Sequence, residues 1–92
     1  MNVARRFGEN LRKCRRLAGF SQEELGMRSS LHRTEIGLLE RGARVPRIDT
    51  LIKIASALQI PPAELIDGIE WTPGNTTSGN FLIAPKGDPQ SN

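Results

Sequence analysis

The segment from Ser21 to Gly42, SQEELGMRSSLHRTEIGLLERG, constrains the fold of this chain more than any other. It has the pattern of two short helices joined by a tight turn. Ser21 and Glu24 form an S-x-x-E capping box, in which each side chain satisfies a free backbone N–H at the start of the first helix. Leu25 is the inward-facing residue of this helix, and the chain is expected to turn at Ser29-Ser30.

The second helix of this segment is expected from about His32 or Arg33 to Arg41, and Gly42 can end it by adopting a left-handed conformation. Ile36 and Leu39 lie on its inner side. The opposite side is largely polar and basic, and it carries Arg33, Thr34, Gly37, Leu38 and Arg41. The major groove of DNA admits a rigid helix with a face of this kind.

The order and spacing of several residues resemble the helix-turn-helix of the lambda-repressor/Cro-like (XRE) family of DNA-binding proteins. The matching residues are Ser21, Gln22, Leu25, Ile36, Leu39, Glu40, Arg41, Gly42, Pro46, Leu51, Ala55 and Leu58. The resemblance covers roughly residues 11–66. It implies an all-α, five-helix lambda-repressor-like DNA-binding domain over residues 1–68, with the motif at residues 22–41 and a short C-terminal tail over residues 69–92.

Three residues of the motif depart from the family pattern. Gly26 stands where alanine is usual, which is expected to loosen the first helix of the motif. Ser29 stands where an apolar residue is usual. Ser30 replaces the glycine of the turn, so a residue with a side chain has to adopt a left-handed conformation there.

The resemblance implies a sequence-specific transcriptional regulator, such as a repressor, that binds double-stranded DNA. Such proteins bind palindromic operators as homodimers, with one recognition helix in each half-site. Family position makes Arg33, Thr34 and Leu38 the candidates for base contacts. Arg33 can donate two hydrogen bonds to guanine, and Thr34 can bond to a base or place its methyl on thymine. Leu38 can contact a thymine methyl, exclude solvent or belong to the core.

The neighbouring residues have other expected roles. Gly37 either allows a close approach to DNA or packs against the protein itself. Glu35 can cap the helix, accept a hydrogen bond from cytosine or face solvent. His32 is expected near backbone phosphates or simply on the surface. The candidates for phosphate binding are Gln22, Arg41 and Arg44, the first because it lies at the positive end of a helix.

A first helix is predicted from Asn2 to Ala18. Its apolar face consists of residues spaced by three and four positions, namely Val3, Phe7, Leu11, Cys14 and Ala18. The rest of its surface is basic. Arg5 and Arg6 are as compatible with a solubilising surface as with a DNA contact, and Arg12 and Lys13 are expected to approach phosphates.

The resemblance also assigns a structural role to Arg15. In similar proteins the arginine at this position reaches an acid near the end of the recognition helix, which corresponds to Glu40 here. A bidentate pair between the two would fix the angle between their helices.

Two more helices are predicted after the motif. The segment from Ile48 to Leu58 is apolar at so many positions that burial on more than one side is expected. The apolar residues are Ile48, Leu51, Ile52, Ile54, Ala55 and Leu58. Pro61-Pro62 then opens a short fifth helix, which Asp67-Gly68 ends.

The tail contains two short apolar runs, residues 69–72 and 80–84, on either side of the turn-forming sequence PGNTTSG. This pattern favours a β-hairpin with a long loop over a flexible tail. The last eight residues are expected to be flexible. Trp71 and Phe81 indicate packing on the domain or on a second subunit, which makes the tail a candidate for dimerisation.

Composition limits the remaining possibilities. The 92 residues form one small domain, and 13 Lys and Arg against 10 Asp and Glu permit a polyanionic partner without requiring one. Cys14 is the single cysteine and lies on an apolar helix face, so it is expected to be a buried thiol. A cytoplasmic location is expected, because the sequence contains neither a signal peptide nor a membrane span.

Two hypotheses compete with DNA binding. The first is a protein-interaction module whose tail binds a partner protein, as an antitoxin holds its toxin, and it is compatible with DNA binding in the same chain. The second is an enzyme. It is disfavoured because His32 and Cys14 lie on different helices and no phosphate-binding loop or metal-ligand spacing is present. No cofactor and no metal are therefore expected.

Overall fold

A computed structural model describes residues 1–85, so the expectation of a flexible end falls, except for residue 85, outside the described residues. The elements are four α-helices, a 3-10 helix and two strands: α1 Val3–Ala18, α2 Gln22–Ser29, α3 Arg33–Glu40, α4 Ile48–Leu58, the 3-10 helix Pro62–Ile66, β1 Ile69–Asn75 and β2 Ser78–Ile83. Within the described residues, no helix is both long enough and apolar enough to cross a membrane.

Side-chain caps set the starts of α1 and α2. The Asn2 side chain accepts a hydrogen bond from the backbone N–H of Arg5, and the Ser21 hydroxyl accepts one from Glu24, each at 2.9 Å. The Glu24 carboxylate pairs with Arg28 four residues later, at 2.6 Å. The structure therefore contains the serine half of the expected capping box, while the glutamate stabilises the helix through an i,i+4 pair.

The helices enclose one apolar core. Its buried members are Phe7, Leu11, Leu25, Ile36, Leu39, Leu51, Ile54, Ala55, Leu58 and Leu65. On the predicted apolar face of α1, Phe7 and Leu11 are fully buried. Val3 and Cys14 are half-buried, and Ala18 is exposed because it lies in the last turn. α1 packs across α3, α4 and the 3-10 helix, so it holds the motif and the C-terminal part of the domain together.

The prediction that α4 is buried on more than one side is wrong. Ile48 and Ile52 are 71% and 52% exposed, although the other apolar residues of the helix face the core. These two isoleucines are four positions apart in the helix, so they share one face. Val45, which is 54% exposed, precedes them in the loop. We call Val45, Ile48 and Ile52 the α4 stripe. α4 contacts α1, α2 and the 3-10 helix on its inner side.

The prediction of a fifth α-helix is also wrong, because Pro62–Ile66 forms a 3-10 helix. The prolines at positions 61 and 62 have no N–H to donate, and the segment ends after five residues. It closes through i→i+3 bonds, such as the one from the Glu64 N–H to the Pro61 carbonyl at 3.0 Å. Leu65 is fully buried and holds this short helix on the core.

The tail forms the favoured β-hairpin, but its loop is short rather than long. β1 and β2 pair antiparallel, with Ile69 opposite Ile83 and Trp71 opposite Phe81. Only residues 76 and 77 connect the strands. The Asn75 side chain makes this tight turn possible, because its carbonyl oxygen accepts the Thr77 N–H at 2.9 Å and the Ser78 hydroxyl at 3.0 Å.

The turn between α2 and α3 accommodates its three unusual residues. Ser30 adopts the expected left-handed conformation, with φ 59° and ψ 40°. Ser29 is buried, and its hydroxyl donates to the Leu25 carbonyl at 2.6 Å, so this polar group has a partner. A Cβ at Gly26 would lie 2.6 Å from the carbonyl oxygen of Leu31. Gly26 thus lets the turn approach α2 closely, rather than merely loosening the helix.

Replacing Gly26 tests this close approach. Gly26→Ala is expected to lower the free energy of unfolding by about 1–3 kcal/mol, although alanine is the better helix former, because the methyl overlaps a backbone carbonyl. Thermal unfolding followed by circular dichroism measures the change. Gly37→Ala is the matched control, because a Cβ there meets only the ends of two flexible side chains. An unchanged or higher Tm for Gly26→Ala would contradict the turn geometry described here.

Candidate nucleic-acid interface

α3 presents its polar face to solvent over its first two turns. Arg33 and Thr34 are exposed and Leu38 is half-buried, whereas Ile36 and Leu39 are fully buried on the inner side. Among the described residues, Arg33 has no side-chain hydrogen bond or ion pair, so its guanidinium is available to a ligand. The three residues expected to face bases therefore lie on the outside of the helix that the core holds in place.

His32 begins this helix. Its Nδ1 accepts a hydrogen bond from the Thr34 N–H at 3.0 Å, and the side chain is exposed. The structure thus places His32 on the surface and makes it the N-cap of α3, a position that serine, threonine, aspartate and asparagine usually occupy. Nδ1 has to be unprotonated to accept this bond.

Gly37 lies beneath two of the expected phosphate-binding residues. A Cβ at Gly37 would lie 3.2 Å from Arg41 Nη1 and 3.6 Å from Gln22 Oε1, so these two side chains lie side by side over the glycine. Gly37 is therefore buried by the protein itself. A residue with a side chain at position 37 would meet Arg41 and Gln22, of which Arg41 is exposed and Gln22 half-buried.

Arg44 lies in the loop that follows α3 and forms an ion pair with Glu35, with Nη1 and Oε1 3.4 Å apart. Both side chains are partly exposed, so the pair adds little stability. Its effect is electrostatic. The negative charge of Glu35, which would repel phosphates near α3, is offset by a neighbouring positive charge.

Beneath the exposed face, the Glu40 carboxylate gathers three side chains. Arg15 makes a bidentate contact, with Nε 2.6 Å from Oε2 and Nη2 3.0 Å from Oε1. Arg12 Nε and Gln22 Nε2 donate to Oε1 at 3.3 and 3.1 Å. We call these four residues the Glu40 cluster. Arg15 comes from α1, Gln22 from α2 and Glu40 from α3, so the cluster joins the three helices.

The cluster keeps both of its main charges ionised. Burial by itself raises the pKa of the Glu40 carboxyl, but hydrogen bonds from Arg15, Gln22 and Arg12 and the charge of Arg15 outweigh it, so the pKa lies below its ordinary value. The hydrogen bond with Glu40 raises the pKa of Arg15 despite its burial. Arg15 Nη1 also donates to the Phe20 carbonyl at 2.9 Å.

Three residues on α1 have roles that the sequence did not reveal. Arg6 is buried, and its guanidinium donates to the carbonyls of Asp67 and Ala84 at the base of the hairpin, so it is neither a solubilising residue nor a DNA contact. Arg12 belongs to the Glu40 cluster. Gly8 lets α1 touch α3, because a Cβ there would lie 2.5 Å from the Glu40 carbonyl oxygen. Of these three roles, only that of Gly8 could have been suspected from the sequence, because a glycine inside a helix often marks a close approach of another backbone.

The two aromatic residues singled out in the tail do not join this face. Trp71 and Phe81 lie on the hairpin, which packs against α1 through β2. Their rings contact each other edge to face, with centroids 5.0 Å apart and an angle of 68° between the ring planes. They define a second exposed surface.

A short helix with an exposed basic and polar face, held by a preceding helix and a buried ion cluster, defines a helix-turn-helix protein. Comparison with known proteins agrees. The sequence model of the family described as "Helix-turn-helix" matches residues 11–65, more than half of the chain. The chain belongs to this helix-turn-helix family, of the lambda-repressor/Cro-like (XRE) type, whose members are DNA-binding transcription regulators.

Individual relatives are similar over most of their length. The "Uncharacterized HTH-type transcriptional regulator y4dJ" of Sinorhizobium fredii is 36% identical over 76 residues, which are 83% of this chain and 99% of that protein. "Control protein C.BamHI" of Bacillus amyloliquefaciens is 39% identical over 67 residues, or 72% of this chain and 83% of that one.

Solved structures resemble the fold as well. The restriction-modification controller protein C.AhdI from Aeromonas hydrophila is 42% identical, with a TM-score of 0.66 over 67% of this chain and 94% of that chain. The P22 c2 repressor, solved in complex with a synthetic operator, is 29% identical, with a TM-score of 0.63 and the same coverage.

Removing the Glu40 charge tests the cluster. Glu40→Gln is expected to lower the free energy of unfolding by about 3–5 kcal/mol near neutral pH, because Arg15 is left buried without a counter-charge. The folded-state pKa of Glu40 is depressed, so the stabilisation by its carboxylate is complete above the unfolded pKa of about 4.3 and is lost as the pH falls through the folded pKa.

Urea unfolding at pH 7 and at pH 3 measures both effects. The wild-type protein should lose more stability on acidification than Glu40→Gln does. Glu24→Gln is the control, because it removes an ion pair whose side chains are 52% and 37% exposed and should cost no more than about 0.5 kcal/mol. Equal losses in the two variants would refute a special role for Glu40.

Proposed function

We propose that this protein is a sequence-specific transcription regulator that inserts α3 into the major groove of a palindromic operator. The exposed face of α3 carries the proposal, because the side chains of Arg33 and Thr34 face solvent and have no hydrogen bond or ion pair within residues 1–85, while the helix itself is fixed by the core. The name of a relative solved with an operator supports DNA as the ligand. A helix with such a face fits the width of the major groove.

Base recognition is assigned to the first turns of α3. Arg33 can donate two hydrogen bonds to O6 and N7 of guanine, which are the acceptors that distinguish this base in the groove. Thr34 can contact an adjacent base. Leu38 is half-buried, so the exposed part of its side chain suits a thymine methyl.

Phosphate binding is assigned to the residues around this face. Arg41 and Gln22 lie together over Gly37, and Arg44 follows in the next loop. The backbone N–H groups at the start of α2 add to them, because the N-terminus of a helix attracts anions. These contacts position α3 but carry no sequence information.

We infer that the protein binds DNA as a dimer, because the recognition helix of one copy is short. One 8-residue recognition helix reads only a few base pairs, and two linked copies multiply their affinities through effective concentration. Two copies related by a two-fold axis would bind half-sites about one helical turn apart. Binding selection from random duplexes at two salt concentrations tests this, because it yields the site, its symmetry and the number of phosphates neutralised. A selected site without two-fold symmetry would contradict the proposal.

Two variants separate base contacts from phosphate contacts. Arg33→Ala is expected to cost about 1–3 kcal/mol on the selected site and to relax the preference at one base pair in each half-site. Arg41→Ala is expected to weaken binding to all sequences alike and to lower the salt dependence by about one phosphate for each copy. Fluorescence anisotropy over a series of salt concentrations, with matched and mismatched duplexes, measures both.

Lys53→Ala is the charge-matched control, because Lys53 is an exposed residue of α4 outside the proposed contacts. It should change neither the sequence preference nor the salt dependence appreciably. Retention of the full base preference by Arg33→Ala would refute the assignment of Arg33.

A further inference from the structure

One face of the hairpin is apolar and exposed. Trp71 and Phe81 lie directly opposite each other on the two strands, and their rings pack edge to face at 5.0 Å. Strand alternation puts Ile69 and Ile83 on the same face. These two isoleucines are half-buried at the base of the hairpin, whereas Trp71 and Phe81 are 54% and 58% exposed. We call these four residues the aromatic face.

The hairpin that carries this face is fixed to the domain. Arg6 donates to the carbonyls of Asp67 and Ala84, and the Ala84 N–H donates to the Gly68 carbonyl at 2.8 Å. Asn10 donates from its side-chain amide to the Asp67 carbonyl at 3.0 Å. A two-stranded hairpin is marginally stable by itself, so the bonds that Arg6 and Asn10 of α1 make to its base help to hold it in one orientation.

The same helix also holds α3. A Cβ at Gly8 would lie 2.5 Å from the Leu39 carbonyl oxygen, and one at Gly42 would lie 3.0 Å from Arg5 Cα. The first two turns of α1 are thus in direct backbone contact with the end of α3 and hydrogen-bonded to the base of the hairpin. The orientation of the hairpin relative to α3 is therefore fixed through α1.

We propose that the aromatic face is the surface through which two copies of this chain dock. The proposal rests on the dimer inferred above and names its interface. The family model matches residues 11–65, and the hairpin follows this segment. The proposed interface therefore lies outside the part of the chain that the family model describes. Docking of two hairpins would fix the distance between the two α3 helices through α1.

Charge decides between a second copy and DNA as the occupant. The aromatic face contains no charged residue, and Glu70 points to the other side of the hairpin with Leu82. A polyanion would find no cation to bind there. An uncharged apolar surface is complementary to itself, and a two-fold axis brings the same patch of both copies together.

The size of the face predicts a weak, reversible dimer. An aromatic side chain buries about 150–250 Å² when fully covered. The exposed halves of Trp71 and Phe81 therefore amount to roughly 500 Å² when both copies of the dimer are added together. A standard interface buries about 1,200–2,000 Å², so the rings can form only its centre. Tryptophan is one of the residue types enriched at the centres of protein interfaces, and Trp71 supplies it here. DNA binding would then complete the association.

The α4 stripe is the competing apolar surface. Ile48 and Ile52 are comparably exposed, but charged side chains flank them, including the ion pair of Arg47 with Asp49 at 3.4 Å and the exposed Lys53. It has no aromatic residue. These differences favour the hairpin, and the stripe supplies the control for the experiment.

Trp71 is the only tryptophan of the chain, so its fluorescence reports directly on the aromatic face. The full-length protein is diluted over a range from micromolar to nanomolar, with sedimentation and Trp71 emission measured together. A blue-shifted emission that returns to that of an exposed indole as the dimer dissociates is the expected result. A dimer in which Trp71 remains exposed would overturn the proposal, and so would a chain that stays monomeric alone and on the palindrome.

Variants locate the interface independently. Phe81→Thr keeps a strand-forming residue and is expected to raise the dimer dissociation constant by about 10- to 100-fold, whereas Phe81→Leu keeps an apolar side chain and should raise it less than 10-fold. Ile48→Ser should leave dimerisation unchanged. A monomeric Ile48→Ser together with a dimeric Phe81→Thr would move the interface to the α4 stripe and overturn the proposal.

A duplex that contains a single half-site distinguishes contact of the aromatic face with DNA from contact with a second copy. A duplex that holds one copy should leave the Trp71 emission unchanged, and a blue shift on it would mean that the hairpin contacts DNA instead. If a dimer buries Trp71 but no duplex is preferred, the interface stands and the proposed function fails. If a palindrome is selected while Trp71 stays exposed, the function stands and the interface fails.

Discussion

The carboxylate of Glu40 is the interaction on which the arrangement of the first three helices depends. It is buried, and it receives hydrogen bonds from α1 and from α2 while being part of α3. An ion pair of this kind adds little net stability compared with apolar packing, because both charges lose their hydration. Its geometric demands are strict, however, since a bidentate arginine fits a carboxylate in one plane. The cluster therefore specifies how α3 is oriented more than it stabilises the fold.

Gln22 connects this buried cluster with the surface. Its amide nitrogen donates to Glu40, and its amide oxygen lies over Gly37 beside Arg41. A residue proposed to bind phosphate is thus already held in place by the group that positions α3. Such a side chain has less conformational entropy to lose on binding than a free one. The fold and the proposed DNA contacts are consequently linked through a single amide.

Local features of this structure were predictable from sequence, and long-range ones were not. The start of α2 and the inner residues of α3 follow from a cap and from periodicity, which involve neighbouring positions, and the left-handed Ser30 follows from the family resemblance. The sequence prediction placed Asn2 inside α1, whereas the structure makes it the N-cap. The partner of Arg15 came from the family resemblance. The role of Arg6 depends on carbonyls 61 and 78 residues away, which no local pattern encodes. The exposure of Ile48 likewise depends on which elements cover α4.

The serines and the glycine around the α2–α3 turn have a consequence for exchanging parts between relatives. Gly26 admits the Leu31 carbonyl, Ser29 bonds to the preceding turn of helix, and Ser30 takes the left-handed position. All three shape the turn that leads into α3, so transplanting α3 alone would place a foreign helix behind this particular turn. A chimera that takes α3 from a relative therefore has to exchange residues 26 to 40 as one block.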